Sequence, residues 1–221
     1  MDFRLGHFTE IESLPESDSA VIVDALRASS TVATLLDVGA NEVKPTTQAA
    51  KHEDGVKAGE DHGEPLDGCD LGNSPLEIHD KNELVRDKRI YLQTTNGINC
   101  VKKAEQMSNV MMGALVNKSA VVETYRRFDG TVWIIPAGRH GDDAVEDLYA
   151  SVEILAECSR DAVPDEHLEL LDRDARDVFL ESDTGAYLRQ NGRRKDVIHC
   201  TQRDIYSSAP LLKKNGFVDV S

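Results

Sequence analysis

Four segments of the chain repeat one pattern, in which a short apolar run is followed by a polar turn and then by an amphipathic stretch. The first run is Ala20-Val-Ile-Val-Asp24, and the stretch after it extends from Thr31 to Gly39. A continuous apolar run of this length is typical of a strand buried on both faces of a parallel sheet. Ser29 and Ser30 suit the start of a helix, and Gly39 suits its end. The segment therefore predicts a strand, a turn and a helix.

The same pattern recurs three times further along the chain. It predicts strands paired with helices at 89–93 and 98–107, 109–116 and 119–128, and 131–135 and 142–159. Parallel strands need crossover connections, which are usually helices. The repeat therefore predicts an α/β protein with a three-layer α/β/α fold and a mostly parallel central sheet, built as a single domain over residues 1–221.

The segments outside these repeats are less regular. Residues 41–45 predict a strand and Thr46 to Ala58 predict a helix, before a loop rich in glycine and acidic residues at 59–74. Loops of this length inside compact domains are usually functional or disordered, and the acidic residues of this one indicate a site. Pro75 then predicts the start of a helix that extends to about Val85, with Ser74 as its cap. After residue 160 the pattern is weaker, and it predicts helical structure over 165–180 and a strand near Phe217.

The net charge of the chain excludes large anionic partners. Its 25 basic and 40 acidic side chains give a net charge of −15, and a field of this sign repels nucleic acid and anionic membranes. The chain has neither a membrane-spanning run of about 20 apolar residues nor the apolar centre of a signal peptide near Met1. We therefore expect a cytoplasmic protein. Acidic surfaces of this kind are typical of proteins adapted to concentrated salt, which screens self-repulsion; the alternative is an ordinary acidic protein.

Polar residues follow several of the predicted strands and open the next helix. Ligands of open parallel sheets bind at the carboxyl ends of the strands, where this chain carries Asp24, 94–97, Asn117 and 137–141. The N–H groups at a helix start suit an anion. Arg27 and Arg139 would add positive charge and paired hydrogen bonds to phosphate, sulfonate or carboxylate. This arrangement predicts a small anionic ligand.

An anionic ligand of so acidic a protein also requires a cation. The candidate oxygen ligands are Asp24, Glu60, Asp70, Glu146 and Asp147. Mg²⁺ is the first choice, because it prefers hard oxygen donors and is often shared between carboxylates and phosphate.

Asp24 is the strongest candidate of these, since it ends a buried run. It can instead be a nucleophile that accepts the phosphoryl group, as in phosphatases with an Asp-x-Asp signature. Leu26 stands where that signature has its second acid, which favours direct attack by water activated at a metal ion. Ser29, Ser30 and Thr94 are nucleophiles only in principle, because no histidine is placed by sequence to activate them.

Several of these motifs occur together, in one order, in a known family. Asp70-Leu-Gly-Asn-Ser-Pro75 and Thr94-Thr-Asn-Gly97 are the most specific of them. The other matching segments are 21–31, Gly39-Ala40 with Pro45, Gly59-Glu60 with Gly63, Asn117, Ala137-Gly138 with Gly141, Glu146-Asp147 and, more weakly, Asp196 to Pro210. Over residues 20–210 the chain resembles the 2-phosphosulfolactate phosphatases.

The resemblance implies Mg²⁺-dependent hydrolysis of 2-phospho-3-sulfolactate to 3-sulfolactate and phosphate, a step of coenzyme M biosynthesis, by an oligomer that we expect to be a dimer. It implies that Asp24 and Glu60 are catalytic and that Asp24, Glu60 and Asp70 hold the metal. The implied substrate-binding residues are Arg27, Asn73, Ser74, Thr95, Asn96, Gly97 and Arg139. Two alternatives stay open: a phosphatase of another small anionic 2-phospho-acid, and a protein that binds a phospho-acid without catalysis.

Overall fold

A computed structural model of the chain describes residues 2–61, 64–94, 96–139, 141–214 and 216–221. Within these ranges, ten strands form one sheet in the order β1-β8-β2-β7-β9-β10-β3-β6-β4-β5. The strands are β1 (Asp2–Leu5), β2 (Ser19–Val23), β3 (Glu42–Pro45), β4 (Val56–Asp61), β5 (Glu64–Pro65), β6 (Arg89–Gln93), β7 (Asn109–Met112), β8 (Thr131–Pro136), β9 (Pro210–Lys213) and β10 (Gly216–Asp219).

Helices pack on both faces of this sheet. They are α1 (Ala28–Asp37), α2 (Pro75–Asp80), α3 (Asn82–Val85), α4 (Gly97–Ala104), α5 (Lys118–Tyr125), α6 (Val145–Cys158), α7 (Ala175–Glu181), α8 (Asp183–Gln190) and α9 (Arg194–Cys200). Alternate residues of β2 enter two separate apolar clusters. Ala20 and Ile22 join the cluster that contains α1 and α4, whereas Val21 and Val23 join the one that contains α5, α6 and α9. The predicted three-layer α/β/α fold is therefore confirmed.

The sheet consists of two parallel blocks joined by an antiparallel hairpin. Strands β1, β8, β2 and β7 run parallel to one another, and so do β3, β6 and β4. The hairpin β9–β10 lies between the blocks and is antiparallel to its neighbour in each. The predicted strand near Phe217 is thus confirmed as β10, but its central position was not predicted.

The two blocks therefore run in opposite directions within the ladder. Neighbouring strands rotate by about 20–25°, so the five steps from β2 to β6 add up to roughly 100–125°. The segment that follows β6 contacts the segment that follows β2. Gly97, at the start of α4, packs directly against Asp24 and Ala28.

Two predicted helices are corrected by the structure. Residues 56–61 form β4, which pairs in parallel with β6, and only Ala49–Lys51 form a short 3-10 helix before it. Residues 165–172 form a 3-10 helix, and the α-helix begins only at Ala175. In the first case pairing with a strand distant in sequence outweighed the local pattern.

The predicted helix ends are confirmed at two places. The backbone N–H of Glu77 donates to Ser74 Oγ at 3.2 Å, and Pro75 is the first residue of α2. Gly39 follows α1 with a φ of +102°, a conformation that glycine adopts without strain. No helix within the described ranges is long and apolar enough to cross a bilayer.

Candidate functional site

Asp24 lies immediately after β2, with its side chain only 7% exposed. Its Oδ1 accepts a hydrogen bond from Ala28 N at 3.1 Å, and the backbone N–H of Gly97 also donates to its carboxylate. Its own backbone N–H donates to Ser29 Oγ at 2.9 Å. Ser29 therefore fixes the turn after β2 rather than capping α1 or acting as a nucleophile.

Gly97 is required by this close approach. A Cβ at this position would lie 2.8 Å from Asp24 Oδ2 and 2.9 Å from the Ala28 Cβ. These distances are shorter than van der Waals contact, so any side chain would displace the carboxylate. The absence of a side chain lets the start of α4 reach Asp24 and donate its N–H.

Three more carboxylates lie close to Asp24. Glu60 comes from β4, and Glu146 and Asp147 come from the first turn of α6; all three are buried. We call Asp24, Glu60, Glu146 and Asp147 the carboxylate cluster. It unites the two parallel blocks, because Asp24 follows β2 and Glu60 belongs to β4.

Asp147 holds two of the loops that surround the cluster. Its Oδ1 accepts from Ala25 N at 2.8 Å, and its Oδ2 accepts from Gly138 N at 3.1 Å. Gly138 has a φ of +70°, which suits glycine. Both oxygens of Asp147 thus bind backbone, so its role is to join the loops after β2 and β8.

Burial and mutual repulsion change the acidity of the cluster. Burial, the largest cause, and the charges of Glu60 and Glu146 together raise the pKa of Asp24 to about 6, although the N–H groups of Ala28 and Gly97 oppose the rise. The pKa of Asp147 is raised well above its usual range, first by burial and then by the charges of Asp24 and Glu146. Carboxyls perturbed in this way are concentrated at functional sites.

Arg27 and Ser74 meet at Asp196, a residue to which the sequence analysis gave no role. Arg27 Nη1 donates to Asp196 Oδ2 at 2.9 Å, and Ser74 Oγ donates to Asp196 Oδ1 at 2.8 Å. All three side chains are buried. Asp196 begins the segment that weakly resembles the family's C-terminal part, but no predicted strand precedes it and nothing in the sequence singled it out as a site residue.

Five buried side-chain oxygens have no hydrogen-bond partner among the described residues. Two of them belong to segments that the sequence singled out, Asn73 Oδ1, next to Ser74, and Thr94 Oγ1, at the end of β6; the others belong to Thr31, Thr124 and Ser151. Buried polar atoms are nearly always hydrogen-bonded in folded proteins. The oxygens of Asn73 and Thr94 are consistent with polar groups that face a ligand.

Arg139 and Asn96 line two different cavities, and the one lined by Arg139 includes a residue of the carboxylate cluster. Arg139 shares a cavity of about 400 Å³ with Glu146 and Asp183, and its Cζ lies 5.8 Å from the centre of the Tyr187 ring. Asn96 lines a second cavity of about 500 Å³, together with Lys103 and other residues of α4.

Three other residues singled out in the sequence are placed differently. Asp70 is 45% exposed and accepts from Lys57 N at 2.9 Å. Since Lys57 is three residues before Glu60, Asp70 lies about 10 Å back along β4, so the structure does not bring it into the cluster. The Asn117 side chain binds the backbone of Ala114 and Ser208. Thr95 lies outside the described residues.

Comparison with known proteins agrees with the motif order. The sequence profile described as 2-phosphosulpholactate phosphatase matches residues 8–215. The chain belongs to this family. Family membership confirms the expected enzyme class, a phosphoric monoester hydrolase.

Full-length relatives carry the same family name. The chain is 31% identical to a probable 2-phosphosulfolactate phosphatase of Synechocystis over 94% of its length and 93% of the relative. Similar proteins of Thermotoga petrophila and Gloeothece citriformis are 31% and 29% identical, covering 92% and 97% of this chain and 92% and 96% of their own. The family match over residues 8–215 includes strands of both parallel blocks of the sheet and the four residues of the carboxylate cluster.

Proposed function

We propose that this protein is a Mg²⁺-dependent phosphatase that hydrolyses 2-phospho-3-sulfolactate to 3-sulfolactate and phosphate. The observation that carries the proposal is the carboxylate cluster, a buried group of acids from the carboxyl ends of β2 and β4 and the start of α6, in a chain of this family. Burying like charges together is costly, and it is retained where a cation or a proton transfer uses it.

The substrate would bring three anionic groups: phosphate, sulfonate and carboxylate. Arg27 and Arg139 are the proposed charged contacts, and Arg139 lines the same cavity as Glu146. Asn73, Thr95, Asn96 and the backbones of Ser74 and Gly97 are the proposed polar contacts. Hydrogen-bond donors fixed by folding favour charge that develops on the substrate, because they need no reorganisation during the reaction.

Hydrolysis joins a water oxygen to phosphorus and breaks the bond between phosphorus and the ester oxygen. That ester oxygen leaves with the bonding electrons and gains a proton, while the water loses one. Asp24 and Glu60 are the proposed acceptors of the water proton. A pKa of about 6 suits Asp24 for proton transfer near neutral pH.

The residues of the cluster fit Mg²⁺ as partial ligands. Among the described residues, no three His, Cys, Asp or Glu side chains form a complete metal-binding group. Mg²⁺ commonly takes only one or two carboxylates and completes its shell with water and substrate phosphate. Asp24 and Glu60 are the residues that would hold it, with Glu146 nearby; Asp70, beside Lys57, would need to move to join them. When bound, the ion would offset the negative charge of the phosphate.

The deciding experiment measures phosphate release from 2-phospho-3-sulfolactate in molar KCl, with Mg²⁺ or with EDTA. We expect release that EDTA abolishes and added Mg²⁺ restores. Release that EDTA does not affect would contradict the metal requirement.

Measuring kcat/KM for a panel of other small 2-phospho-acids tests whether 2-phospho-3-sulfolactate is the preferred substrate. Binding of the phosphoester by folded protein without release of phosphate would identify a non-catalytic protein and contradict the proposed activity. The ranking of kcat/KM values reflects the few contacts in the site that distinguish these substrates.

We also propose that the protein is a homodimeric, single-domain enzyme that acts in coenzyme M biosynthesis in a salt-rich cytoplasm, as expected from the sequence. At molar salt the screening length falls to about 3 Å, so a net charge of −15 predicts higher thermal stability in molar KCl than in dilute buffer. Thermal unfolding at several KCl concentrations tests the salt requirement, and analytical ultracentrifugation tests the dimer.

A further inference from the structure

Helix α9 contributes a buried carboxylate that joins two of the proposed substrate-binding segments. Both oxygens of Asp196 are hydrogen-bonded, Oδ2 by Arg27 Nη1 at 2.9 Å and Oδ1 by Ser74 Oγ at 2.8 Å. Arg27 immediately precedes α1, and Ser74 immediately precedes α2. One side chain of α9 therefore fixes the starts of two other helices.

The contact with Ser74 determines what its hydroxyl group can do. The single hydroxyl hydrogen donates to Asp196, and the oxygen accepts from the N–H of Glu77. A serine hydroxyl has one donor, so Ser74 holds the turn while it is bound to Asp196. The neighbouring Asn73, with its buried Oδ1, is held in place by that turn.

The contact with Arg27 fixes the plane of the guanidinium. An arginine side chain has several rotatable bonds but ends in a flat group whose N–H directions are rigid. One N–H bound to a buried carboxylate limits the directions in which the others can point. This restraint matters because the guanidinium must match the geometry of an oxyanion.

A second set of contacts holds α9 against α2. Tyr206 Oη lies 2.7 Å from His199 Nε2 of α9 and 2.6 Å from His79 Nε2 of α2. Helix α2 is thus attached to α9 at its start through Ser74 and near its end through His79. Asp196 therefore belongs to a rigid unit, which favours a positioning role.

We propose that Asp196 is a positioning residue that orients Arg27 and the Asn73–Ser74 turn toward an oxyanion group of the substrate. This inference rests on the proposed phosphatase function. The alternative is a buried ion pair that only stabilises the fold.

The test is a double-mutant cycle with Asp196→Asn and Arg27→Lys, read out as kcat and KM for the phosphoester. Each single change should lower kcat/KM by about 10- to 100-fold, mainly through KM, because each disturbs a charge-assisted hydrogen bond. The double variant should be little worse than either single one, since both act through the same guanidinium. Fully additive losses would overturn the proposal.

Glu153→Gln is the matched control, because it disrupts another largely buried carboxylate with cationic partners, bonded to Arg203 at 2.6 Å. We expect it to lower thermal stability and leave kcat/KM unchanged. If Asp196→Asn does not fold, Ser74→Ala tests the same unit while keeping the ion pair, and it should raise KM. Wild-type kcat and KM in the variant that folds would overturn the proposal.

A binding experiment separates this inference from the proposed function. Calorimetric titration of the metal-free protein with inorganic phosphate and with methanesulfonate measures oxyanion binding without turnover. Asp196→Asn should weaken the binding of at least one anion about 10-fold, which identifies the group that Arg27 contacts. Unchanged binding of both anions, or no binding by the wild type, would overturn the positioning role. Lack of phosphate release from the wild type would instead overturn the phosphatase function.

Discussion

Helix α6 carries acidic residues in two places, and the charged groups around them are of opposite sign. Its first turn provides Glu146 and Asp147 to the carboxylate cluster, where the charged groups that most affect Asp24 are other carboxylates. Further along, Glu153 is bonded to Arg203 at 2.6 Å and lies 3.4 Å from Lys118 Nζ. We call the group of Glu153, Lys118 and Arg203 the ion-pair network.

The pKa values follow this difference. Burial and neighbouring carboxylates raise the pKa of Asp24 to about 6. Burial also acts to raise the pKa of Glu153, but Arg203 and Lys118 outweigh it, so the pKa of Glu153 is lowered. The ion-pair network therefore stabilises the ionised fold, whereas the carboxylate cluster costs stability near neutral pH. We interpret the ion-pair network as structural and the carboxylate cluster as functional.

The largest effect that tests this comparison is loss of activity in Asp24→Asn. The change keeps the shape of the side chain but removes its charge, so we expect phosphate release to fall by at least about 1,000-fold, as expected when a group that acts directly in the reaction is lost. Steady-state kinetics with the phosphoester measures this loss. Circular dichroism and thermal unfolding should show a folded variant, because a buried charge without a cation has been removed.

Wild-type activity in folded Asp24→Asn would contradict the assignment of the site. An unfolded variant would instead show that the hydrogen bonds from Ala28 and Gly97 to this carboxylate are structural. Glu60→Gln then provides the second test, since Glu60 reaches the cluster from the other parallel block of the sheet.

The next effect is expected in the ion-pair network. Glu153→Gln removes the charge that faces Arg203 and Lys118, and we expect the free energy of unfolding to fall by about 2 kcal/mol. Urea denaturation measures the change. Since the network lies outside the site, kcat/KM should equal that of the wild type, and a large loss of activity would show that the two ends of α6 are coupled.

The sequence predicted the parts of the fold and site that local pattern encodes. Strands β2, β6, β7 and β8 are short apolar runs, and each was predicted with the helix that follows it. Asp24 was found because it ends such a run. Strand β4 has few apolar residues in its sequence, Val56-Lys-Ala-Gly-Glu-Asp61. Its strand conformation therefore depends on pairing with β6.

Contacts between distant segments account for what was not predicted. The hairpin β9–β10 lies at the centre of the sheet, although its residues are the last of the chain. Asp196 reaches Arg27 across 169 residues, and Ser74 across 122. The contact of Asp196 with Ser74 depends on the packing of α9 against α2, which the local pattern of the sequence does not encode.

A smaller effect is expected in the pH dependence of stability without metal. The pKa of Asp24 is about 6 in the folded protein, above its usual 3.8, so the folded state binds this proton more tightly than the unfolded state. Its stabilising contribution is complete below about pH 4 and is lost as the pH rises through 6. Glu60 on β4 and Glu146 on α6 raise this pKa, and the N–H groups of Ala28 and Gly97 lower it.

In EDTA, this single group should reduce the free energy of unfolding by about 1 to 2 kcal/mol between pH 5 and 7.5. Urea denaturation across this range measures the slope. Asp24→Asn should flatten it, and Glu153→Gln should leave it nearly unchanged over the same interval. Identical slopes in the wild type and Asp24→Asn would show that Asp24 does not carry the proton.

The smallest expected effect is stabilisation by Mg²⁺, and it separates the two groups of acids most directly. An ion that binds only the folded protein, at about ten times its Kd, adds roughly 1.4 kcal/mol to the free energy of unfolding. We expect this gain at pH 7.5 in the wild type and in Glu153→Gln, and no gain in Asp24→Asn, with KCl held constant. Equal stabilisation of all three would mean that Mg²⁺ acts on the acidic surface as a whole rather than on the carboxylate cluster.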